Sequence, residues 1–298
     1  MRYHFEFVRP WKTWFIVSGL LVILALGAFF IRGLNYGIDF TGGTQMNLRF
    51  THPVTATAIK TVLTRDHIYG STVVFVGKGS QNVLITTPTI SEHERTALLS
   101  QLGSKVGHFH EISTSRVSSI IGRQTERTAL IAVLLAIVAI IAYIAIRFEW
   151  RFALSGIIAM IHDVIITVGL IALIHIQITE YFIMAVLTIF GYSITDKIIV
   201  FDRIRENLPK KKKQDALEDL VNKSLNQVLV RSINTSTTVI IALLALLIFA
   251  GTSIRDFALT MLFGVIFGTY SSIFIASPIW LLWRKRDLSN KRKRTASA

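Results

Sequence analysis

Four ionisable residues lie in, or at the end of, strongly apolar stretches, where such side chains are rare. They are Asp163, Asp196, Lys197 and Arg231. An aspartate at the centre of a membrane-spanning helix costs about 2.5–3.5 kcal/mol on insertion scales, so it normally faces a bundle interior or a water path. Burial favours the protonated carboxyl, whereas a basic partner keeps it ionised. These residues therefore indicate either ion handling or static ion pairs.

The partners of the two aspartates follow less directly from the sequence. Arg231 opens the fifth apolar stretch, within "LVRSINTSTTV", and is a candidate partner for Asp196. Consecutive helix residues point about 100° apart, so Lys197 need not face Asp196. Three alternatives stay open for Lys197: snorkelling to the cytosolic side, pairing with Asp163, or reaching an acidic group on a partner. Beside Asp196 it would oppose proton uptake. Hydroxyls that suit a hydrated path follow Arg231, namely Ser232, Thr235, Ser236 and Thr238.

The elements that must position these residues are membrane helices. The chain is 52% hydrophobic, and its mean hydropathy is +0.54, which is typical of an integral membrane protein. Six apolar stretches are each long enough to cross a hydrocarbon core of about 30 Å. We expect the first to be an uncleaved helix, because it is longer than a typical signal-peptide core and five more follow. The predicted spans are 13–31, 128–146, 152–174, 181–201, 233–250 and 257–283.

The net charge of +14 is distributed as in a membrane protein. Lys and Arg fall between apolar runs and in the tail, so six spans place both termini in the cytosol by the positive-inside rule. The residues that contribute to this charge pattern include Arg2, the lysine run 210–213 and the basic run 291–294. The last of these favours contact with anionic membrane lipids. This distribution argues against nucleic-acid binding. The absence of cysteine excludes disulfides, thiolate metal sites and cysteine nucleophiles.

A segment of different character separates the first two spans. Its pattern predicts the order β-α-β-β-α-β, a ferredoxin-like α+β domain, with Ser91 and Glu94 forming a capping box. The predicted fold is a polytopic α-helical membrane protein with six spans and this small extracytoplasmic domain. A second insert, between the fourth and fifth spans, predicts an amphipathic helix along the cytosolic interface. The predicted boundaries are 1–32, 33–127, 128–283 (including the cytosolic segment 203–231) and a basic tail, 284–298.

Motifs for catalysis or metal binding are weak in this sequence. No nucleophile elbow, phosphate loop or metalloprotease motif is present, so we expect no enzymatic activity. His93, His108 and His110 lack the spacing of a zinc site, and solvated surface histidines are the favoured interpretation. In the sixth span, Gly264, Gly268 and Ser272 recur every fourth residue, which predicts close helix packing.

Three strings together resemble one family. "LNYGIDFTGGT" follows the first span, "GYS-TD--IVFDRIREN" lies in the fourth, and "R-INTSTT" opens the fifth. They are similar to the SecD/SecF family of protein-export membrane proteins, which belongs to the RND superfamily. The "DRIREN" end and the short outer domain favour the SecF branch. The residues that carry the resemblance are Gly37, Asp39, Phe40, Gly42, Gly43, Gly191, Tyr192, Ser193, Asp202 and Arg203.

The resemblance implies a function and partners. Members of this type pair with a SecD-like subunit, associate with the SecYEG channel and use the ion gradient to promote late stages of preprotein export. The chain would lie in the bacterial cytoplasmic membrane, meet preproteins on the outer face, and need no cofactor beyond a coupling ion, H⁺ or Na⁺. The family's ion-pathway aspartate and arginine match Asp196 and Arg231.

One departure from the family pattern bears on this expectation. The pattern usually gives "GYS-ND" followed by a small hydroxyl residue, whereas this chain has Thr195 and Lys197 at the two differing positions. A lysine there weakens the case for ion coupling. Two alternatives therefore stay open: a non-conducting structural subunit of the translocase, and an RND-like half-transporter for a lipid or small hydrophobic molecule. The length excludes a complete SecDF fusion, unless the chain is its C-terminal half.

Overall fold

The computed structural model describes residues 5–76, 79–212 and 214–296, which fall into two compact units. The helical unit comprises Met1–Asn35, Ala132–Ile176 and Tyr181–Ala298, and the α+β unit comprises Tyr36–Ile131 with Gln177–Glu180. Arg2 and Lys213, which contribute to the predicted charge distribution, lie outside the described residues, as do the side chains of the basic run 291–294.

The secondary structure alternates long apolar helices with one block of mixed structure. In chain order the elements are α1 (Trp11–Arg32), β1 (Asn35–Tyr36), α2 (Ile38–Thr41), β2 (Gly43–Phe50), α3 (Ala56–Arg65), β3 (Thr72–Phe75), β4 (Asn82–Thr87), α4 (Glu92–Lys105), β5 (Phe109–Val117), α5 (Ser119–Arg147), α6 (Trp150–Ile174), β6 (Gln177–Ile178), α7 (Glu180–Asn207), α8 (Leu217–Phe249), α9 (Thr252–Ser271) and α10 (Ser277–Ala296). A π-helical turn, Ser272–Ala276, lies between α9 and α10.

Six helical segments of the described chain are long and apolar enough to cross a membrane, as predicted. They are α1, α5, α6, α7, α8 and the composite of α9, the π-helical turn and α10. In the most apolar 18-residue stretch of each helix, 50% is buried in α6 and in α7, and 56% is buried in the composite segment. In α5 only 6% of that stretch is buried. The three more buried segments therefore form the interior of the helical unit, and two of them, α6 and α7, carry its buried ionisable residues.

Small residues allow the inner helices to approach closely. A Cβ atom added to Gly169 of α6 would lie 2.3 Å from Cβ of Ala25 in α1. A Cβ on Gly264 of α9 would lie 2.3 Å from the Ile189 side chain of α7, and one on Gly268 would lie 3.3 Å from Ser193 Cβ. In hydrocarbon, where helices gain little from the hydrophobic effect, such van der Waals contact is a main source of association. The small-residue stripe of the sixth span thus faces α7.

The amphipathic segment after the fourth span differs from its prediction. It forms the first half of α8, which continues without a break into the fifth span. Its apolar residues Leu217, Leu220 and Val221 are buried in the same core as Phe201 of α7 and Phe152 of α6. The amphipathic helix is therefore present, but it is the start of the fifth membrane helix rather than an element of its own. The protein interior, rather than lipid, covers this apolar face.

The α+β unit has the predicted ferredoxin-like arrangement. The four strands of its larger sheet lie in the order β3-β4-β2-β5, and the neighbouring strands are antiparallel. Alternate residues of the central strand β2, Met46, Leu48 and Phe50, are buried in a core shared with α3 and α4. This alternation is the pattern of a strand with one covered face. α3 begins after Thr55, whose side chain accepts a hydrogen bond from Ala58 N at 3.2 Å.

The capping box at α4 gives a pH-dependent prediction. Ser91 N donates to Glu94 Oε2 at 2.7 Å, and this hydrogen bond lowers the pKa of the Glu94 carboxyl. A carboxyl with a lowered folded-state pKa stabilises the fold above its unfolded pKa and loses that effect as the pH falls. Glu94→Ala is therefore expected to lower hydrogen-exchange protection of the α4 amides at about pH 7 and to have little effect at about pH 3. Equal loss at both pH values would contradict this account.

Candidate functional site

Two of the four ionisable residues singled out from the sequence, Asp163 and Lys197, meet in the interior of the helical unit. Lys197 of α7 and Asp163 of α6 are both fully buried, and Lys197 Nζ lies 2.8 Å from Asp163 Oδ2. Lys197 Nζ also donates to Ser193 Oγ at 2.6 Å and to Ser271 Oγ at 2.9 Å. Of the three arrangements open for Lys197, the structure has the pair with Asp163. We call Asp163, Ser193, Lys197 and Ser271 the lysine cluster.

The local sequence explains how these side chains converge. Ser193 and Lys197 are four residues apart on α7, so they project from one face. Gly268, one turn before Ser271, lets α9 approach α7 at Ser193. Ser271 is the last residue of α9, immediately before the π-helical turn. Such turns occur mostly as single interruptions in α-helices and frequently at functional sites.

The donors and acceptors of the lysine cluster match in number. An ammonium has three N–H donors, and here it has three oxygen acceptors. The hydroxyls of Ser193 and Ser271 in turn donate to Asp163 Oδ2, at 2.7 and 2.8 Å. His162 Nδ1 lies 3.0 Å from the other carboxylate oxygen, Oδ1. This pattern requires a charged lysine and an ionised Asp163, which together are electrically neutral.

Asp196 lies one residue before Lys197 but has different surroundings. It is 7% exposed, and its Oδ1 accepts a short hydrogen bond from Ser232 Oγ of α8. Its Oδ2 is buried and has no hydrogen-bond partner among the residues that the structure describes. A buried polar atom without a partner is energetically costly, so Oδ2 is the part of this site whose hydrogen bonding is incomplete.

The predicted partnership between Asp196 and Arg231 is not present. The Arg231 side chain is exposed, and the next residue, Ser232, contacts Asp196 instead. The reason is geometric, because neighbouring residues of α8 point about 100° apart and only one of them can face α7. The expectation of a direct Asp196–Arg231 pair was wrong for this structure.

The remaining residues of the fourth-span motif have structural contacts. Tyr192 Oη donates to Ser236 Oγ at 3.0 Å, and that hydroxyl lies 2.6 Å from Thr269 Oγ1, so hydroxyls link α7, α8 and α9. Asp202 lies 3.7 Å from Arg147 and 3.0 Å from Arg205. Arg203 pairs with Glu206 at 3.0 Å, and Gly191 is exposed.

The glycines of "GIDFTGGT" hold a tight backbone crossing in the α+β unit. Gly42 and Gly43 have φ angles of +72° and +140°, which favour glycine. A Cβ on Gly42 would lie 2.8 Å from Ser119 N, and one on Gly43 would lie 2.5 Å from Thr87 O. The backbone therefore turns sharply here, and the first residue of α5 packs directly against it.

The other residues of this motif fix the same region. Gly37 N donates to Ile178 O at 2.9 Å, and Asp39 Oδ2 accepts from Glu180 N at 3.2 Å. Phe40 is buried, with 8% of its surface exposed. These contacts are structural, and α2, with four residues, is too short to offer an anion site. His93, His108 and His110 are exposed on the same unit.

Comparison with known proteins decides the family. Residues 98–286, more than half of the chain, match the family described as protein export membrane protein SecD/SecF, C-terminal. The chain belongs to the SecD/SecF family. Residues 27–54 match the SecD/SecF GG motif, which covers the "GIDFTGGT" crossing.

Curated SecD/SecF relatives are similar over nearly the whole chain. The protein translocase subunit SecF of Sebaldella termitidis is 39% identical over 284 residues, which is 94% of this chain and 92% of that protein. The subunit of the same name from Alicyclobacillus acidocaldarius is 39% identical over 296 residues, or 97% of this chain and 96% of that protein.

Solved SecD/SecF structures share the fold. The crystal structure of SecDF from Thermus thermophilus, described as a translocon-associated membrane protein, superposes with a TM-score of 0.87 at 35% identity and covers 95% of this chain. A second SecDF structure, in a super-membrane-facing form, gives 0.73 at 35% identity and covers 99% of this chain. This chain spans 39% of the first SecDF chain and 40% of the second.

Sequence reasoning missed two residues of this SecD/SecF site. Ser271 was not singled out, although a pair of serines inside an apolar span was a signal. His162 was also missed, although it directly precedes Asp163. Its Nε2 is buried and has no hydrogen-bond partner within the described residues.

Proposed function

We propose that this chain is an accessory subunit of the Sec protein translocase that uses an ion gradient to promote late stages of preprotein export. Its partner would be a SecD-like subunit, because the chain matches only part of the length of SecDF. The proposal places it in the bacterial cytoplasmic membrane with both termini cytosolic, beside the SecYEG channel, and with the α+β unit facing preproteins outside. The role assigned is transport, with no catalytic step.

The proposal rests on the burial and the incomplete hydrogen bonding of the Asp196 carboxylate. The carboxylate is buried between α7 and α8, and only one of its oxygens has a hydrogen-bond partner in the described chain. Uptake of a proton at Oδ2 would remove a buried charge while the Ser232 contact is kept. Hydroxyls of Tyr192 on α7, Ser236 on α8 and Thr269 on α9 could support a hydrated approach.

The free energy available is sufficient to bias a conformational equilibrium. One charge that crosses the membrane contributes about 2.3 kcal/mol per 100 mV. That corresponds to roughly a 40-fold change in an equilibrium constant. Binding and release at Asp196 could therefore shift the positions of α7 and α8 between two states.

Asp196→Asn tests the proposal. Asparagine keeps the size of the side chain and can still accept from Ser232, but it cannot take up a proton. Export of a secreted reporter is expected to lose its gradient-dependent component, falling up to roughly 40-fold toward the rate without the subunit. The complex with the SecD-like partner should still be recovered by co-purification.

A matched control separates this effect from a general change of charge. Asp219 of α8 is exposed and pairs only with Arg9 at 3.3 Å among the described residues, so Asp219→Asn should leave export unchanged. If Asp196→Asn supports wild-type export in an intact complex, the ion-driven role is wrong.

A second candidate function is a non-conducting structural subunit of the translocase. The fully buried Lys197–Asp163 pair favours this function. An electrically neutral ion pair gains no free energy by exchanging its lysine for an ion from solution. This function predicts normal export by the Asp196→Asn variant, together with loss of the complex when the lysine cluster is broken. The same pair of measurements therefore distinguishes the two functions.

A further inference from the structure

We propose that Asp163, Ser193 and Ser271 form a binding site for a monovalent cation and that the ammonium of Lys197 occupies it. The chain thus carries its own cation at the centre of the helical unit. A free Na⁺ or Li⁺ would take the same place if the lysine were shortened.

The geometry resembles an ion site more than an ordinary salt bridge. Nζ contacts one carboxylate oxygen and two hydroxyl oxygens, at 2.8, 2.6 and 2.9 Å. These oxygens come from three different helices, α6, α7 and α9, and all three residues are fully buried. Carboxylate and neutral oxygen atoms are the ligands that hard cations prefer.

The charge of the site selects a monovalent ion. Asp163 supplies one negative charge, and the serines are neutral donors of oxygen. One positive charge makes the buried cluster neutral, whereas a divalent ion would leave an uncompensated charge in a medium of low dielectric constant. The neutral total is also what the hydrogen-bond pattern around Lys197 requires.

The backbone next to the site departs from regular α-helical geometry. Coupling ions in transporters commonly bind where a membrane helix is interrupted near the bilayer midplane. Here Ser271 is followed at once by the π-helical turn, and Ser277 Oγ, at the start of α10, donates to O of Ser272, the first residue of that turn, at 3.1 Å. A regular α-helix is thus interrupted at the residue that contributes the third oxygen.

One consequence rests on the proposed function. With the lysine cluster occupied by an ammonium, Na⁺ has no place there, so the coupling ion of the proposed function would bind elsewhere, at Asp196. Export driven by this chain would then not depend on a Na⁺ ion at the lysine cluster. A failed cation-binding test would leave the Asp196→Asn export test unaffected.

Lys197→Ser tests the inference in the full-length purified protein. The variant removes the ammonium, leaves space and adds a hydroxyl. Its melting temperature is expected to rise by about 5 °C when choline chloride is replaced by NaCl or LiCl at saturating concentration. The wild-type protein, whose site is occupied, should show no such difference.

Two further variants serve as controls. Lys197→Met also removes the charge but fills the space, so it should not respond to Na⁺. The double variant Asp163→Asn/Lys197→Ser lacks the negative charge and should not respond either. A response of that double variant, or a response of Lys197→Ser to Mg²⁺ or Ca²⁺ alone, would overturn the inference.

The test also holds if Lys197→Ser folds poorly. Purification in Na⁺ and in choline is then compared by the yield of monodisperse protein. Recovery of monodisperse protein in Na⁺ but not in choline supports the proposed cation site, because a bound cation stabilises only the folded state. Equal loss in both salts, or a folded variant with one melting temperature in all salts, would show that no cation site exists here.

Discussion

Replacing Lys197 by methionine is expected to lower the free energy of unfolding by about 3–5 kcal/mol. The change leaves the fully buried Asp163 carboxylate without its counter-ion, and the methionine side chain prevents water from replacing the amine. Ser193 and Ser271 can still donate to Asp163, but hydrogen bonds alone do not balance a buried charge. Unfolding by sodium dodecyl sulfate in Na⁺-free buffer, followed by circular dichroism, measures the loss.

Two comparison variants show whether the lower free energy of unfolding of Lys197→Met comes from the unpaired charge of Asp163. Asp163→Leu/Lys197→Met removes both charges, and it should recover most of the loss, because apolar residues of similar volume often replace a buried ion pair at little cost. Lys223→Met changes an exposed lysine of α8 and should stay within about 0.5 kcal/mol of wild type. Wild-type stability of Lys197→Met would mean that Asp163 carries no charge in the folded protein.

Gly169→Ala is expected to destabilise the helical unit by about 3 kcal/mol, at the upper end for an overpacked site. The new Cβ would lie 2.4 Å from Cα and 2.6 Å from O of Ala25. Both are backbone atoms of α1, so rotation of a side chain cannot relieve the clash and the two helices must move apart. The same unfolding titration measures this loss.

Gly27 of α1 provides the matched control for this substitution. Among the described residues, no atom lies within 4 Å of the Cβ position at Gly27. Gly27→Ala should therefore keep or slightly raise the stability, because alanine is the better helix former. If Gly169→Ala and Gly27→Ala unfold alike, the close contact of α1 with α6 does not exist.

Much of the fold follows from local sequence patterns. Six spans, the ferredoxin-like order of the insert and the Ser91–Glu94 capping box all depend on residues close together in the chain, and the structure contains all of them. The length of α8 was also accessible, because no glycine or proline separates its amphipathic half from the fifth span. The sequence analysis predicted the amphipathic helix but not its continuity with the fifth span.

The contacts of the site could not be predicted in the same way. Lys197 and Asp163 are paired across two helices, and the pair depends on how far each helix is rotated about its axis. That rotation is set by close contacts such as Gly268 against Ser193, which hydropathy does not reveal. The choice between Arg231 and Ser232 as the neighbour of Asp196 depends on a single step of about 100° along α8.

The length of α8 has a mechanical consequence. Its 33 residues extend for about 50 Å, whereas a bilayer core is about 30 Å thick, so about 20 Å of the rod stands outside the hydrocarbon. Ser232 lies near the point where this overhang begins, and it is the residue that touches Asp196. A tilt of about 10° at that point would carry the far tip through about 4 Å. Under the proposed function, Asp196 therefore lies beside the pivot of such a tilt, and a small change at its carboxylate would be magnified at the far end of α8.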